Sequence, residues 1–140
     1  MYLADTFPTA SLAPQPGPDR AKYYENIVYL ANSLFPALRD RVYADRDYSG
    51  PHPEALREVG AKRSGQVWDH LNSELEGKKY LLGGEAPTTC DYLAMSVAVW
   101  FAEYEAEMTA RPNVSKLLKR MQARDDWAEV RRREEKVTSE

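Results

Sequence analysis

The most informative part of the sequence runs from Tyr80-Leu81-Leu82-Gly83-Gly84 through Pro87-Thr88-Thr89-Cys90-Asp91 to the segment YLAMSVAVWFA at residues 92–102. The glycines mark a loop. Residues 92–102 carry no charge, and a helix that is apolar on every side is a buried helix. We therefore predict a central helix over residues 89–108, surrounded by the other helices of the domain.

Thr88 and Asp91 stand three residues apart at the start of this predicted helix, which is the spacing of a capping box. The Thr88 hydroxyl would accept a hydrogen bond from the Asp91 amide, and the Asp91 carboxylate would accept one from the Thr88 amide. The negative charge would also suit a helix N-terminus. Asp91 could instead be a catalytic acid, but a carboxylate with two local donors is more often structural. We predict a structural role for both residues.

The rest of the chain repeats apolar residues at helical spacing and shows no strand alternation, which predicts an all-α fold. Asp19 is the predicted N-cap of the first helix, and Pro36 should kink it. Gly60 and Gly65 lie in the middle of the second helix, which predicts close packing of another helix there. We predict a loop over residues 45–53. The five predicted helices are residues 19–42, residues 54–75, residues 89–108, one helix after Pro112 and one starting near Asp125 or Asp126.

Composition bounds the possible functions. The 140 residues carry a net charge of −3, and the basic residues alternate with acidic ones, which argues against a nucleic-acid partner. The start of the chain lacks the pattern of a signal peptide, and the longest uncharged apolar run is too short to cross a bilayer. A single cysteine, Cys90, allows no intrachain disulfide and fits a reducing compartment. We expect a cytoplasmic protein without a membrane partner.

The segment from residue 80 to Asp91 resembles the G-x-x-x-[S/T]-x-x-D signature of the glutathione S-transferase C-terminal domain, where it caps the central helix. The start of the chain resembles the last helix of that family's thioredoxin-like half, running into the interdomain linker. By this resemblance, residues 1–18 are a remnant of that helix plus the linker, and residues 19–140 form the helical domain. Three further segments carry the resemblance: Tyr2-Leu3-Ala4-Asp5-x-Phe7-Pro8, Arg111-Pro112-Asn113-Val114, and Arg124-Asp125-Asp126-Trp127, in which Asp125 replaces the usual proline.

The resemblance also implies what this chain would contribute to function. In the family, the catalytic Tyr, Ser or Cys and most glutathione contacts lie in the thioredoxin-like half, so we expect no catalytic residue and no cofactor in this chain alone. Glutathione would be the co-substrate of the full architecture. By resemblance, Asn32 and Ser33 would contact glutathione, while Phe35, Tyr43 and Trp100 would line the electrophile pocket. The alternatives are core packing for Phe35 and Trp100, and an ordinary polar helix face for Asn32 and Ser33.

Other reactive side chains give weaker signals. Cys90 fills a small position next to Asp91, so we predict a buried thiol rather than a reactive one. His52 and His70 are the only histidines and are not at ligand spacing, so we expect no metal site.

Two functions remain open at this stage. The chain could be the electrophile-binding half of a bacterial-type glutathione transferase, which would act with glutathione; a homodimer is one of the states left open. It could instead be a stand-alone helical module that binds a partner or a small ligand without catalysis. The sequence leaves it uncertain whether the chain is an enzyme.

Overall fold

The computed structural model describes residues 1–100 and 104–138, and these residues form helices and no β-strand. The predicted all-α class is therefore confirmed. A short 3-10 helix spans Pro8–Ala10, and a π-helical turn spans Leu30–Leu34. The α-helices are α1 (Tyr2–Thr6), α2 (Pro18–Tyr29), α3 (Phe35–Val42), α4 (Ala44–Asp47), α5 (Pro53–Glu74), α6 (Thr89–Ala98), α7 (Tyr104–Met108), α8 (Pro112–Gln122) and α9 (Asp125–Thr138).

The predicted number of five helices is wrong, because short helices add to the long ones. Helix α4 occupies the start of the segment predicted as a loop. The central helix is also shorter than predicted, since α6 ends at Ala98 and α7 is a separate helix. Val97, Val99 and Trp100 have weaker helix propensity than Ala or Leu, which favours an end at this point. Residues 101–103 of the predicted helix lie outside the described residues.

The N-cap of the first long helix lies two residues earlier than predicted. Gly17, not Asp19, is its N-cap, and its φ of 154° suits glycine. Pro18 follows as the first helical residue, where its missing N–H costs nothing and its fixed φ matches the helix. Asp19 lies in the first turn, where its charge interacts favourably with the helix dipole.

The irregularity predicted at Pro36 is a π turn placed directly before it. The N–H of Phe35 donates to the carbonyl of Leu30, five residues back, so the helical ladder shifts by one residue. Pro36 has no N–H to offer the carbonyl of Asn32, so a regular α-ladder could not continue there. Single π turns of this kind are often found near functional sites.

The core is built around α6, as predicted. Cys90, Ala94, Met95 and Ala98 of this helix are at most 1% exposed. They pack in one apolar cluster with residues of α2, the π turn, α3, α5 and α8, including Tyr23, Leu30, Leu34, Leu38, Trp68, Leu71, Leu117 and Met121.

Helix α8 begins at Pro112, as the resemblance predicted, and its cap comes from another helix. The side-chain carbonyl of Asn72 on α5 accepts from the N–H of Asn113 at 2.9 Å and from that of Val114 at 3.4 Å. The side-chain amide of Asn113 donates in return to the backbone carbonyl of Asn72 at 3.0 Å. Asn72 therefore satisfies amide groups that a helix N-terminus leaves without partners.

The close helix contact predicted at the second helix is formed by Gly60. A Cβ atom on Gly60 would lie 2.6 Å from the backbone nitrogen of Arg41 and 2.7 Å from the carbonyl oxygen of Ala37. Both atoms belong to the backbone of α3, which cannot move aside as a side-chain tip can. Glycine is therefore required for α3 and α5 to pack at this distance.

Gly60→Ala should destabilise the protein, because forcing a methyl group into the α3 backbone costs about 1–3 kcal/mol, as other overpacked sites do. Gly65→Ala is the matched control on the same helix. Its Cβ would lie 3.4 Å from the tip of the Arg111 side chain, so the better helix propensity of Ala should stabilise it by up to about 1 kcal/mol. Urea unfolding followed by circular dichroism measures both. Equal stabilities for the two variants would contradict the close contact.

Candidate functional site

The N-terminus of α6 is anchored by the Asp91 carboxylate, which is fully buried. Thr88 and Asp91 form a capping box. The Thr88 N–H and hydroxyl donate to Asp91 Oδ2 at 2.8 Å and 3.2 Å. The N–H of Leu81 donates to Oδ1 at 2.9 Å, which joins the loop before α6 to its first turn. Burial raises the pKa of Asp91, and these hydrogen bonds oppose that shift.

The next two residues tie earlier parts of the chain to α6. The Thr89 N–H and hydroxyl donate to the carbonyl of Leu12 at 2.9 Å and 3.1 Å. The Cys90 thiol donates to the carbonyl of Tyr23 on α2 at 3.6 Å. Burial raises the pKa of Cys90 to about 12. Since the thiolate is the reactive form, Cys90 is an inert buried thiol at neutral pH, as predicted.

Phe35, Tyr43 and Trp100, predicted as pocket residues, lie together at the C-terminal end of α6. The ring centroids of Phe35 and Trp100 are 4.7 Å apart, and those of Tyr43 and Trp100 are 6.3 Å apart in an edge-on arrangement. We call these three side chains the aromatic cluster. Trp100 is 41% exposed, while Phe35 and Tyr43 are half-buried. The cluster is therefore a group of three apolar rings, of which Trp100 is the most exposed.

Two arginines accompany the aromatic cluster, and the sequence analysis did not single them out. The Arg46 guanidinium lies over the Tyr43 ring, 4.1 Å from its centroid. Arg46 Nε donates to one oxygen of Asp47 at 3.1 Å, and Arg39 Nε contacts the other at 2.7 Å. A signal was present, because Arg39 stands four residues from both Phe35 and Tyr43 and so lies on the same helix face.

Asn32 and Ser33, predicted as glutathione contacts, lie on the π turn, where Asn32 is exposed and Ser33 is half-buried. Ser33 lines a shallow pocket against α5, and this pocket contains no member of the aromatic cluster. The structure therefore brings the three predicted apolar residues together but leaves Ser33 on a separate surface. The pocket at Ser33 is completed by Tyr29, Arg63, Gln66 and Val67.

Another pocket, of about 380 Å³, lies between α7 and α8. Its lining includes Glu105, Met108, Thr109 and Lys119 and none of the predicted site residues. Within residues 1–100 and 104–138, no group of three His, Cys, Asp or Glu side chains could hold a metal ion. Across the same residues, no helix is long and apolar enough to pass through a membrane.

The fold and the capped central helix define a known class of helical domain. A family model described as the glutathione S-transferase C-terminal domain matches residues 31–125, which is more than half of the chain. The chain therefore belongs to this family.

Solved structures of glutathione transferases share the fold. Poplar glutathione transferase F1 matches with a TM-score of 0.80 and 19% identity over 96% of this chain and 65% of that one. A glutathione transferase homologue from Sulfitobacter, solved with bound glutathione, matches with a TM-score of 0.80 and 22% identity. The match covers 94% of this chain and 71% of that one. A beta-etherase from Sphingobium matches with a TM-score of 0.72 and 15% identity, over 94% of this chain and 70% of that one.

These likenesses establish the architecture. Because the sequence identities are below 25%, the similarity to these structures shows a shared fold and nothing about activity. The chain spans less than two thirds of the two poplar transferase structures, 63% of one and 65% of the other. None of the curated protein sequences matches the chain.

Proposed function

We propose that this chain supplies the apolar wall that binds a hydrophobic electrophile in a glutathione S-transferase, with glutathione as co-substrate of the complete architecture. The observation that carries the proposal is the meeting of Phe35, Tyr43 and Trp100 from two separate elements. Phe35 and Trp100 are 65 positions apart in the sequence, so only the fold brings these two rings together. Membership of the transferase family supports the same role.

The aromatic cluster has the chemistry that the proposed role needs. An apolar electrophile gains free energy when its surface leaves water, and planar rings also stack on exposed aromatic side chains. Trp100 keeps 41% of its surface accessible while Phe35 packs against its ring. A ligand could therefore cover Trp100 without displacing a core side chain. In this proposal Asn32 and Ser33 keep their assignment as glutathione contacts on the π turn, with Ser33 in a pocket that contains no member of the cluster.

The proposal is tested with N-phenyl-1-naphthylamine, an uncharged apolar dye whose fluorescence rises on binding. Trp100→Ala should weaken dye binding by about tenfold, since burying an aromatic side chain contributes about 1.5–3 kcal/mol and 1.4 kcal/mol is tenfold in affinity. Tyr24→Ala is the matched control, because Tyr24 is 40% exposed on α2. Equal affinities for the two variants, or no binding by the wild-type chain, would contradict the proposed role.

The alternative is a stand-alone module that binds a partner or a small ligand without catalysis, and a second copy of the chain is one such partner. Tyr24 and Val28 favour it, because these exposed apolar side chains lie one turn apart on α2. Sedimentation equilibrium of the wild type and Val28→Asp separates the two roles. Loss of self-association in Val28→Asp, with no dye binding by either protein, would favour the module. A homodimer that keeps the dye site remains compatible with the first proposal.

A further inference from the structure

Aromatic and cationic side chains alternate along one surface of α3 and α4. Phe35, Arg39 and Tyr43 follow one another at intervals of four residues, which places them on a single helix face. Arg46 continues the series by stacking on the ring of Tyr43. A ligand lying on the aromatic cluster would therefore have guanidinium groups at its edge.

One carboxylate holds both guanidinium groups. Asp47 accepts from Nε of Arg46 at 3.1 Å and contacts Nε of Arg39 at 2.7 Å. The two arginines lower the pKa of Asp47, so it is ionised at neutral pH. Among the residues that the structure describes, Arg39, Arg46 and Asp47 together leave an excess of one positive charge at this point. The neighbouring Asp45 and Asp40 are paired with Arg57 and Arg63 and do not cancel it.

The outer ends of both guanidinium groups remain available. In the part of the chain that the structure describes, Arg39 and Arg46 make their ion pairs through Nε, and no hydrogen bond engages their Nη atoms. Arg39 is 48% exposed and Arg46 is 60% exposed as side chains. Planar Nη donors match the two oxygens of a carboxylate or the oxygens of a sulfonate.

We propose that Arg39 and Arg46 make the site selective for aromatic ligands that carry their own negatively charged group, with the ring on the aromatic cluster and the anion on the Nη atoms. This inference rests on the proposed apolar wall and adds the charge class of its ligand. Asp47 is a positioning residue in this arrangement, because it orients both guanidinium groups without contacting the ligand.

The test compares two dyes that share one skeleton. 8-Anilinonaphthalene-1-sulfonate carries a sulfonate on the phenylnaphthylamine framework, and N-phenyl-1-naphthylamine lacks it. The wild-type chain should bind the sulfonate about threefold to fivefold more tightly, the range expected of an exposed ion pair. Raising NaCl to 0.5 M should remove most of this preference, because exposed charges are screened at that ionic strength.

Four variants separate the arginines from the apolar wall. Arg39→Gln and Arg46→Gln should each reduce the affinity for the sulfonate dye more than the affinity for the neutral dye. Arg46→Lys keeps the positive charge and should retain most of the preference. Arg132→Gln is the matched control, because Arg132 is an exposed arginine on α9 that pairs with Glu129. Thermal melts check that every variant is folded.

The outcomes distinguish this inference from the proposed function. If both dyes bind equally and the arginine variants change nothing, the charge selectivity is overturned while the apolar wall stands. If neither dye binds, the proposed function itself fails. If glutathione alone displaces the sulfonate dye but not the neutral one, the arginines bind the carboxylates of the tripeptide, which overturns the inference.

Discussion

The purified 140-residue chain should not conjugate glutathione to an aromatic electrophile above the uncatalysed rate. The reaction needs the glutathione thiolate, and a free thiol has a pKa of about 8.5, so a donor must stabilise the anion while the peptide is held in place. By family resemblance those groups belong to the thioredoxin-like half. Binding the electrophile alone gives no extra stabilisation of the transition state over the ground state. The expected result is ligand binding without turnover.

The measurement is a spectrophotometric conjugation assay with 1-chloro-2,4-dinitrobenzene on protein passed over glutathione resin to remove host transferase. The control fuses a thioredoxin-like half from a glutathione transferase to the chain, which should bring turnover. In that fusion, Trp100→Ala should change electrophile preference more than glutathione affinity. Turnover by the unfused chain that disappears in Tyr43→Phe would overturn this expectation, because it would identify a catalytic hydroxyl in the aromatic cluster.

Loss of the Asp91 carboxylate should be among the most destabilising single changes in the described part of the chain. Asp91→Ala leaves the buried N–H groups of Leu81 and Thr88 without an acceptor, and each such group costs about 1–3 kcal/mol. We expect a loss of about 3–5 kcal/mol, a large part of the 5–15 kcal/mol that typical domains possess. The capping box makes this a structural effect, separate from any effect on ligand binding.

Thermal and urea unfolding of three variants tests this expectation. Asp91→Asn keeps the shape but turns one acceptor into a donor, so it should lose about 2–3 kcal/mol because it can satisfy only one of the two amides. Thr88→Ala removes only the hydroxyl and should cost about 1 kcal/mol. If Asp91→Ala unfolds at the same urea concentration as the parent, the carboxylate does not contribute to the free energy of unfolding, which would contradict this expectation.

The central helix and its cap could be predicted because their signals are local. An uncharged segment predicts burial, and the spacing of Thr88 and Asp91 predicts the box, whatever the rest of the chain does. The bond from Leu81 to Asp91 could not be predicted, since it depends on how a glycine loop folds back. The start of the first helix was misplaced although Gly17 followed by Pro18 is a known N-terminal pattern.

The candidate site was predictable only in part. The family resemblance named Phe35, Tyr43 and Trp100, but their contact depends on how α3 packs beside the end of α6. The pairing of Arg39 and Arg46 through Asp47 requires the short α4 helix, which has too few residues to show a periodic pattern. Ser33 stands two residues before Phe35, a spacing that places side chains on different helix faces, so its separation from the aromatic cluster was open to prediction.

The π turn at Leu30–Leu34 determines how this segment can accommodate the insertion or deletion of one residue. A π turn holds one more residue than the α turn it replaces, so a protein one residue shorter between positions 30 and 34 could run an unbroken helical ladder up to the proline. Each residue advances an α-helix by about 100°. A chain of unchanged length with a regular α turn in this segment would therefore rotate the stripe of Phe35, Arg39 and Tyr43 by that angle, away from Trp100, whereas the shorter protein would keep the stripe in place. The π turn therefore lets this segment hold one extra residue while the aromatic cluster keeps its arrangement.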